Sequence, residues 1–362
     1  MRKKIIIAGG GTGGHIFPAI AIANAIKEME ADVEILFVGA KGKMEMEKVP
    51  QAGYKIVGLD IAGFDRSSLI RNISLPSKLL RSFLQARRIF KSFTPDGVIG
   101  VGGYSSFPVL RFAQARRIKT FIHESNSFAG KSNILLGKKA TRVFVATNGM
   151  ERFFPASKIM VTGNPVREAI AFSTVTREEG IKFFGLDPVS QTVLAIGGSL
   201  GAKSINEALY NNIDAFKEDN LQLIWQSGKS FGDKARSAAA GKVNIWAGDF
   251  ITQMEYAYAA ADVVISRSGA MAIAELCVVK KPVIFVPFPF ATEDHQVVNA
   301  QNMVSKKAGI MIRDNEAPVK LVEQVISLSK DKPRQEELRL NIGQLGTRNA
   351  DKIIAKEILG LL

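Results

Sequence analysis

Short apolar runs alternate with amphipathic helical patterns along the whole chain. This alternation is typical of βα units around parallel sheets, because a strand buried on both faces is continuously apolar. The runs predict twelve strands, at residues 4–8, 33–38, 97–101, 120–122, 143–146 and 159–162 in the first half of the chain and 192–196, 221–226, 243–246, 263–266, 283–286 and 310–312 in the second.

A break at Gly163-Asn164-Pro165 separates the two halves. We predict an α/β protein with two doubly wound, Rossmann-like domains, residues 1–164 and 165–345. Open parallel sheets bind ligands at the carboxyl ends of their strands, so a cleft where the two domains face each other is the expected site. Residues 349–362 have helical spacing, and their pattern assigns them to neither domain.

Composition narrows the class of protein. The 362 residues are 46% hydrophobic and 23% charged, as in soluble globular proteins. A net charge of +14 indicates an anionic partner, which could be nucleic acid, a phosphorylated ligand or an acidic membrane surface. The single cysteine, Cys277, excludes a disulfide scaffold and favours a reducing compartment.

The sequence predicts neither a signal peptide nor a membrane span. The basic start imitates a signal peptide, but its apolar run ends at Gly9, and we predict a strand leading into a glycine loop. No apolar stretch approaches the roughly 18 residues that a transmembrane helix needs.

Three glycine-rich turns follow predicted strands, at residues 9–14, 100–103 and 197–201. Glycine lets a ligand approach the backbone closely, and amides at a helix start favour anions. The first turn satisfies G-x-G-x-x-G, but the second strand ends in Gly39-Ala40-Lys41, without the acid that a dinucleotide site needs. We therefore predict a phosphate-rich ligand rather than a nicotinamide cofactor.

A fourth turn, Arg267-Ser268-Gly269, follows the strand 263–266 and should open a helix. Ser268 and Glu275 would then share one helix face about 10 Å apart, roughly the reach from a nucleotide's diphosphate to its ribose. Phosphate would lie at the helix start, and the Glu275 carboxylate could accept both ribose hydroxyls. The alternative is a solvated glutamate on a surface helix.

The three histidines, His15, His123 and His295, all fall in loop-like contexts. His15 closes the first glycine turn and is a candidate general base; the alternative is a hydrogen bond that fixes the loop. His123-Glu124-Ser125-Asn126 places polar groups at a strand end. No metal-ligand spacing and no Asp-x-Asp pair occurs, so we predict no metal site.

The segment from Arg66 to Phe93 is basic and apolar, with seven Lys or Arg residues and no acid. Such a surface suits an anionic membrane. A purely structural helix is the alternative, and nucleic acid is disfavoured because no recognised binding motif is present.

These motifs together resemble the MurG family, bacterial glycosyltransferases that add N-acetylglucosamine to lipid I to make lipid II. The residues that carry the resemblance span nearly the whole chain in the expected order: Gly10-Gly11-Thr12-Gly13-Gly14-His15, Gly102-Gly103-Tyr104, His123-Glu124-x-Asn126, Gly163-Asn164-Pro165-Val166-Arg167, Gly197-Gly198-Ser199-x-Gly201-Ala202, Arg267-Ser268-Gly269-Ala270, Glu275, His295-Gln296 and Asn299-Ala300.

The resemblance implies the GT-B fold, with a C-terminal helix at about 346–362 that packs back on the first domain. It implies UDP-N-acetylglucosamine as donor, lipid I as acceptor, and no cofactor or metal. The reaction would be displacement with inversion by the acceptor's C4 hydroxyl. The location would be the cytoplasmic face of the plasma membrane, where residues 66–93 overlap the family's membrane-contact region.

The resemblance also implies roles for residues. His15 would be the base, Glu275 would bind the ribose, and the Ile251 backbone would read the uracil. The other donor-site residues would be Thr12, Gly13, Gly14, Asn126, Arg167, Ser199, Ala270, Met271, Ala272, Ile273, Ala274 and Gln296. Gly102, Gly103 and Tyr104 would face the acceptor diphosphate. Three residues depart from the family: Ser125, Leu200 and Ala272 stand where Gln, Gln and Thr are frequent.

Rival functions share parts of this pattern. A UDP-sugar 2-epimerase of the same fold needs no lipid acceptor, and another UDP-sugar-dependent glycolipid glycosyltransferase differs only in acceptor. A membrane-bound nucleotide-sugar sensor would bind the donor and release no UDP. A Rossmann dehydrogenase is the most distant alternative.

Overall fold

The computed structural model describes residues 2–63, 75–198, 200–291 and 294–362. The chain divides into two units. Unit 1 comprises Met1–Val166 together with Asn349–Leu362, and unit 2 comprises Arg167–Arg348.

Each unit contains one parallel sheet. Within the described residues, unit 1 has the strand order β3-β2-β1-β4-β5-β6-β7 and unit 2 has the order β10-β9-β8-β11-β12-β13. The strands of unit 1 are β1 Lys4–Ala8, β2 Glu34–Ala40, β3 Lys55–Leu59, β4 Gly97–Gly100, β5 Lys119–Glu124, β6 Arg142–Val145 and β7 Ile159–Val161. Those of unit 2 are β8 Gln191–Ile196, β9 Leu221–Gln226, β10 Ile245–Gly248, β11 Val263–Ser266, β12 Val283–Phe285 and β13 Ile310–Met311.

Helices connect the strands. In unit 1 they are α1 Gly13–Met29, α2 Glu45–Gln51, α3 Leu75–Phe93, α4 Ser106–Ala115 and α5 Lys131–Gly137. In unit 2 they are α6 Glu168–Ala171, α7 Arg177–Phe184, α8 Lys203–Asn211, α9 Ala215–Glu218, α10 Gly232–Ala239, α11 Met254–Ala260, α12 Ala270–Val279, α13 His295–Ser305, α14 Ala317–Lys330 and α15 Lys332–Gly343. The last helix, α16 Ala350–Leu361, returns to unit 1.

All twelve predicted strands are confirmed, with ends displaced by at most two residues. The strand β3 was missed, because Lys55–Leu59 is short, carries a glycine and lies at the edge of the sheet with two of its five residues exposed. The predicted loop contexts of the histidines are wrong: His15 and His295 lie in the first turns of α1 and α13, and His123 is fully buried in β5.

The strand order reverses once in each sheet, where β1 pairs with β4 and β8 pairs with β11. Helices depart to opposite faces at such a reversal, so the space beyond the carboxyl ends of the two strands stays open to a ligand. The four motif turns follow β1, β4, β8 and β11. The fold therefore places two of the predicted anion-binding turns together in each unit.

The core of unit 1 covers both faces of its sheet. Side chains of β1 alternate, with Ile5 and Ile7 on the face covered by α1, and Ile6 on the face that packs against α3 and α4. Ile354 and Ile358 of α16 are fully buried among the α1 residues. Apolar burial of this kind is the main source of stability for such a helix.

In the described part of the chain, no helix combines the length and the apolar character needed to cross a bilayer.

We predict that Ile358→Ala lowers the free energy of unfolding by about 2–5 kcal/mol, because it leaves a cavity between α16 and α1. Urea denaturation measures the change. The control, Lys356→Ala, alters an exposed side chain of the same helix and should stay within about 0.5 kcal/mol. Equal effects of the two variants would contradict the packing of α16 described above.

Candidate functional site

The first glycine turn is held in a shape that only glycine adopts readily. Gly9, Gly10 and Gly11 have φ angles of 146°, 145° and 89°. The Gly10 amide donates to the Gly102 carbonyl over 3.2 Å, so the first and second turns touch backbone to backbone. Thr12, whose backbone is extended, is the residue that immediately precedes α1. The first turn of that helix carries no acidic residue. An anion can thus approach the amides at the start of α1.

A buried carboxylate supports this turn, and the sequence analysis did not find it. Glu45, the first residue of α2, is 1% exposed. Its Oε2 accepts from the Gly11 amide at 2.8 Å, and its Oε1 accepts from the Ala40 amide at 2.9 Å. The Gly11 amide is therefore already engaged, and the amides of α1 remain the candidates for phosphate. An isolated acid outside any motif gives no sequence signal for such a role.

One ring nitrogen of His15 is held by the first glycine turn. Its Nδ1 lies 3.2 Å from the Gly10 carbonyl and 3.3 Å from Thr12 Oγ1. A carbonyl can only accept, so Nδ1 carries the proton and donates it, and the lone pair of the neutral ring is on Nε2. The hydrogen bond to the loop, which the sequence posed as the alternative to catalysis, here fixes the tautomer that a base requires.

His123 is a neutral neighbour of His15. Burial, and then the positive charge of nearby His15, lower the pKa of His123 to about 4. Its Nδ1 lies 3.5 Å from Ser125 Oγ. A group with this pKa carries no charge at neutral pH, so it packs beneath the site without competing with His15 for a proton.

Tyr104, in the second turn, is about half-buried. Burial, and then the charge of Glu45, raise the pKa of its phenol. The hydroxyl therefore stays protonated at neutral pH and can donate a hydrogen bond to an anion.

Glu124 organises the loop after β5. Its carboxylate accepts from the Asn126 amide at 3.1 Å, the Asn126 side chain at 3.3 Å, the Gly130 amide at 3.1 Å and the Asn133 side chain at 2.9 Å. Four donors fill the acceptor sites of a carboxylate. Glu124 is therefore a positioning residue that orients Asn126, the residue predicted to contact the sugar.

In unit 2, the third turn again needs glycine. Gly198 and Gly201 have φ angles of 82° and 80°, and the Gly201 amide donates to the Gly198 carbonyl at 3.0 Å. Leu200 is 84% exposed. Ser199, predicted to face the diphosphate, lies outside the described residues.

The fourth turn differs from the prediction in one respect. The helix α12 begins at Ala270, so Ser268 precedes it rather than sharing a helix face with Glu275. Ser268 is fully buried, and its hydroxyl donates to the Gln296 carbonyl at 2.8 Å. The first turn of α12, which contains the predicted Ala270, Met271 and Ala272, carries no acid. The amides at this helix start, rather than the Ser268 hydroxyl, are therefore the groups suited to phosphate.

Glu275 is not a solvated surface residue. It is 8% exposed, its Oε1 accepts a hydrogen bond from Arg167 Nε at 3.0 Å, and Arg167 Nη2 forms an ion pair with the same oxygen at 3.0 Å. Burial alone would lower the pKa of Arg167. The charge and the hydrogen bond of the Glu275 carboxylate together have a larger effect and raise that pKa. The hydroxyl of Tyr258, which the sequence analysis missed, donates to Oε2 at 3.0 Å.

Two other predicted donor-site residues are tied to the turns. The Ile251 amide donates to Gln226 Oε1 at 3.0 Å, while Gln226 Nε2 donates to the Gly198 carbonyl at 3.1 Å. The Ile251 carbonyl is thus the backbone group to consider for base recognition. Gln296 Oε1 accepts from the Phe288 amide at 3.0 Å. In residues 2–63, 75–198, 200–291 and 294–362, no three His, Cys, Asp or Glu side chains are grouped as a metal site requires.

Two protein-family models match the chain. The glycosyltransferase family 28 N-terminal domain matches residues 5–145, and the glycosyltransferase family 28 C-terminal domain matches residues 192–355.

Similar proteins carry one name, UDP-N-acetylglucosamine–N-acetylmuramyl-(pentapeptide) pyrophosphoryl-undecaprenol N-acetylglucosamine transferase. The one from Phocaeicola vulgatus is 48% identical over 361 residues, covering 99% of this chain and 96% of that protein. The one from Parabacteroides distasonis is 48% identical over 365 residues, covering 100% of this chain and 99% of that protein.

Solved structures agree on the fold. The crystal structure of Acinetobacter baumannii MurG matches with a TM-score of 0.81 at 26% identity over 99% of both chains. A UDP-GlcNAc 2-epimerase from Neisseria meningitidis, bound to UDP-GlcNAc, matches with a TM-score of 0.67 at 15% identity over 99% of this chain and 100% of that one. The second likeness concerns the fold alone. The predicted GT-B fold is confirmed.

We predict that Gly102→Ala displaces the His15 ring. A Cβ at Gly102, where φ is 97°, would lie 2.7 Å from His15 Cδ2 and Nε2, and an alanine there is also strained. Histidine ¹⁵N NMR should show His15 as the Nδ1-protonated tautomer in the wild type and a changed signal in the variant.

The matched control is Gly360→Ala, where an added Cβ meets no atom within 4 Å. This variant should leave the His15 signal unchanged. An Nε2-protonated His15 in the wild type would contradict the hydrogen-bond assignment.

Proposed function

The chain belongs to glycosyltransferase family 28, and we infer from this membership and from its turns that it transfers N-acetylglucosamine from UDP-N-acetylglucosamine to lipid I, giving lipid II for peptidoglycan synthesis. The observation that carries this conclusion is the position of four anion-binding turns at the two reversals of strand order. Both substrates carry a diphosphate, and each unit offers two such turns.

Unit 2 binds the donor. The Glu275 carboxylate accepts hydroxyls of the ribose, and the Ile251 backbone reads the uracil. The helix start at Ala270–Ala274, with Ser199, holds the diphosphate, and Arg167 lies beside the nucleotide. Gln296 contacts the sugar. Support for these roles comes from the buried, doubly anchored Glu275 and from the acid-free first turn of α12.

The departing UDP is stabilised without a metal ion. Charge develops on the β-phosphate as the glycosidic bond breaks, and fixed amide dipoles stabilise such charge well because they need no reorganisation. The starts of α8 and α12 supply these dipoles, and neither helix carries an acid in its first turn. Arg167 adds a permanent positive charge.

Unit 1 binds the acceptor and supplies the base. His15 Nε2 removes the proton from the C4 hydroxyl of the muramoyl sugar as the oxygen attacks the anomeric carbon of the donor. One displacement inverts that carbon. Thr12, Gly13 and Gly14 face the acceptor diphosphate and the donor sugar, and Asn126 contacts the sugar. Gly102, Gly103 and Tyr104 face the acceptor diphosphate, to which the protonated Tyr104 hydroxyl donates.

We predict that adding a short-chain lipid I analogue releases UDP, with the same rate in the presence of a chelator.

His15→Ala should lower kcat by about 10²–10⁴-fold, the usual contribution of a general base. Its affinity for UDP should change little, because the nucleotide binds to unit 2. A coupled UDP assay and calorimetry measure the two quantities.

The control for this variant is Lys27→Ala, in the last turn of the same helix, which should keep wild-type kcat. An unchanged kcat in His15→Ala would remove His15 as the base. Loss of activity with the chelator would contradict the metal-free mechanism. UDP release with no acceptor requirement would contradict the transferase itself.

The helix α3 forms the membrane-contact surface on the cytoplasmic face of the plasma membrane. The whole helix lies in the predicted segment from Arg66 to Phe93, of which residues 66–74 lie outside the described residues. Ile89, Phe90 and Phe93 are buried against the sheet. The opposite face presents Leu80 and Leu84, 64% and 51% exposed, followed one to three turns later by the exposed basic residues Arg87, Arg88 and Lys91. Exposed leucines beside cations suit an anionic bilayer surface.

We predict that the double variant Leu80→Ser/Leu84→Ser binds vesicles containing anionic phospholipid at least about tenfold more weakly, because it loses most of the apolar area that would insert. Vesicle co-sedimentation measures the binding. Leu340→Ser in unit 2, where the leucine is 54% exposed, is the control and should bind as the wild type does. Equal binding by the double variant would assign contact with the membrane to another surface.

A further inference from the structure

Tyr258 is a buried phenol whose hydroxyl reaches a group of the donor site. It lies on α11, is 2% exposed, and donates to Glu275 Oε2 at 3.0 Å. Burial, and then the charge of Glu275, raise the pKa of Tyr258 well above 10. The phenol is therefore a permanent donor over the working range of pH.

The hydrogen bonds to Glu275 fix the plane of its carboxylate. Among the described residues, Arg167 Nε donates one hydrogen bond to Oε1, Arg167 Nη2 forms an ion pair with the same oxygen, and Tyr258 donates one O–H bond to Oε2. A carboxylate has about four acceptor sites, so each oxygen keeps about one for a ligand hydroxyl, and the remaining site on Oε2 lies beside the bond from Tyr258. Tyr258 thereby sets the direction from which a ligand hydroxyl can reach Glu275.

We propose that Tyr258 is a positioning residue that gives the donor site its preference for a ribose nucleotide over a deoxyribose nucleotide, by holding Glu275 Oε2 toward the sugar hydroxyls. The proposal rests on the proposed function, in which Glu275 binds the ribose. Tyr258 touches neither substrate in this arrangement, because its hydroxyl acts through Glu275.

The experiment compares the Kd values of UDP, 2′-deoxy-UDP and 3′-deoxy-UDP by calorimetry. In Tyr258→Phe, the ring that fills the core is kept, so the variant is expected to fold. Its affinity for UDP should fall by about three- to tenfold, as for the loss of one oriented hydrogen bond. Its affinity for the deoxy analogue that lacks the hydroxyl bound by Glu275 Oε2 should change little. The ratio of the Kd of that analogue to the Kd of UDP should therefore approach one.

Two further variants separate the possible failures. Tyr256→Phe removes a hydroxyl from the same helix and should keep the wild-type ratio. Glu275→Ala should bring the ratio close to one. A wild-type ratio in Tyr258→Phe, or equal weakening of all three ligands, would overturn the role of Tyr258. A wild-type ratio in Glu275→Ala would instead overturn the ribose contact in the proposed function.

Discussion

Backbone amides at the carboxyl ends of four strands are the groups on which the rest of this molecule depends. They can meet an anion only where no side chain intervenes, and in three of the four turns this involves φ angles that favour glycine. Parallel pairing of β1 with β4 and of β8 with β11 brings the turns together in pairs. The apolar strands thus hold peptide dipoles in fixed directions. In the proposed mechanism, these fixed dipoles stabilise the charged leaving group.

Buried carboxylates recur beside these turns, although the ligands are anions. Glu45, Glu124 and Glu275 are each less than 9% exposed, and each accepts at least two hydrogen bonds from named donors. A carboxylate saturated by donors spreads its charge over them and orients them in return. Glu45 and Glu124 therefore hold their loops in shape through backbone amides, whereas Glu275 is itself held by the side chains of Arg167 and Tyr258.

The sequence predicted the sheets well because their strands are continuous apolar runs, which are distinctive when both faces are buried. It missed β3 because an exposed edge strand lacks that signature. Periodicity left α16 unassigned, since helical spacing shows an apolar face and not the partner of that face, and only the family resemblance placed it on the first domain. Glycine turns and His15 were found from local motifs. Glu45 and Tyr258 were not, because their partners, Gly11 and Glu275, lie 34 and 17 residues away in the chain.

Charge acts at two ranges in this protein. The excess of 14 positive charges attracts anions over distances near the Debye length, and salt weakens that attraction. The turns act only at hydrogen-bond distance, and each of the three acids beside them already accepts hydrogen bonds from the protein. Lysine and arginine on exposed faces such as that of α3 can therefore raise the local concentration of substrate without fixing its geometry. In the proposed mechanism, the reacting diphosphate is oriented by neutral amides, whose direction is set by the fold rather than by the mobility of long side chains.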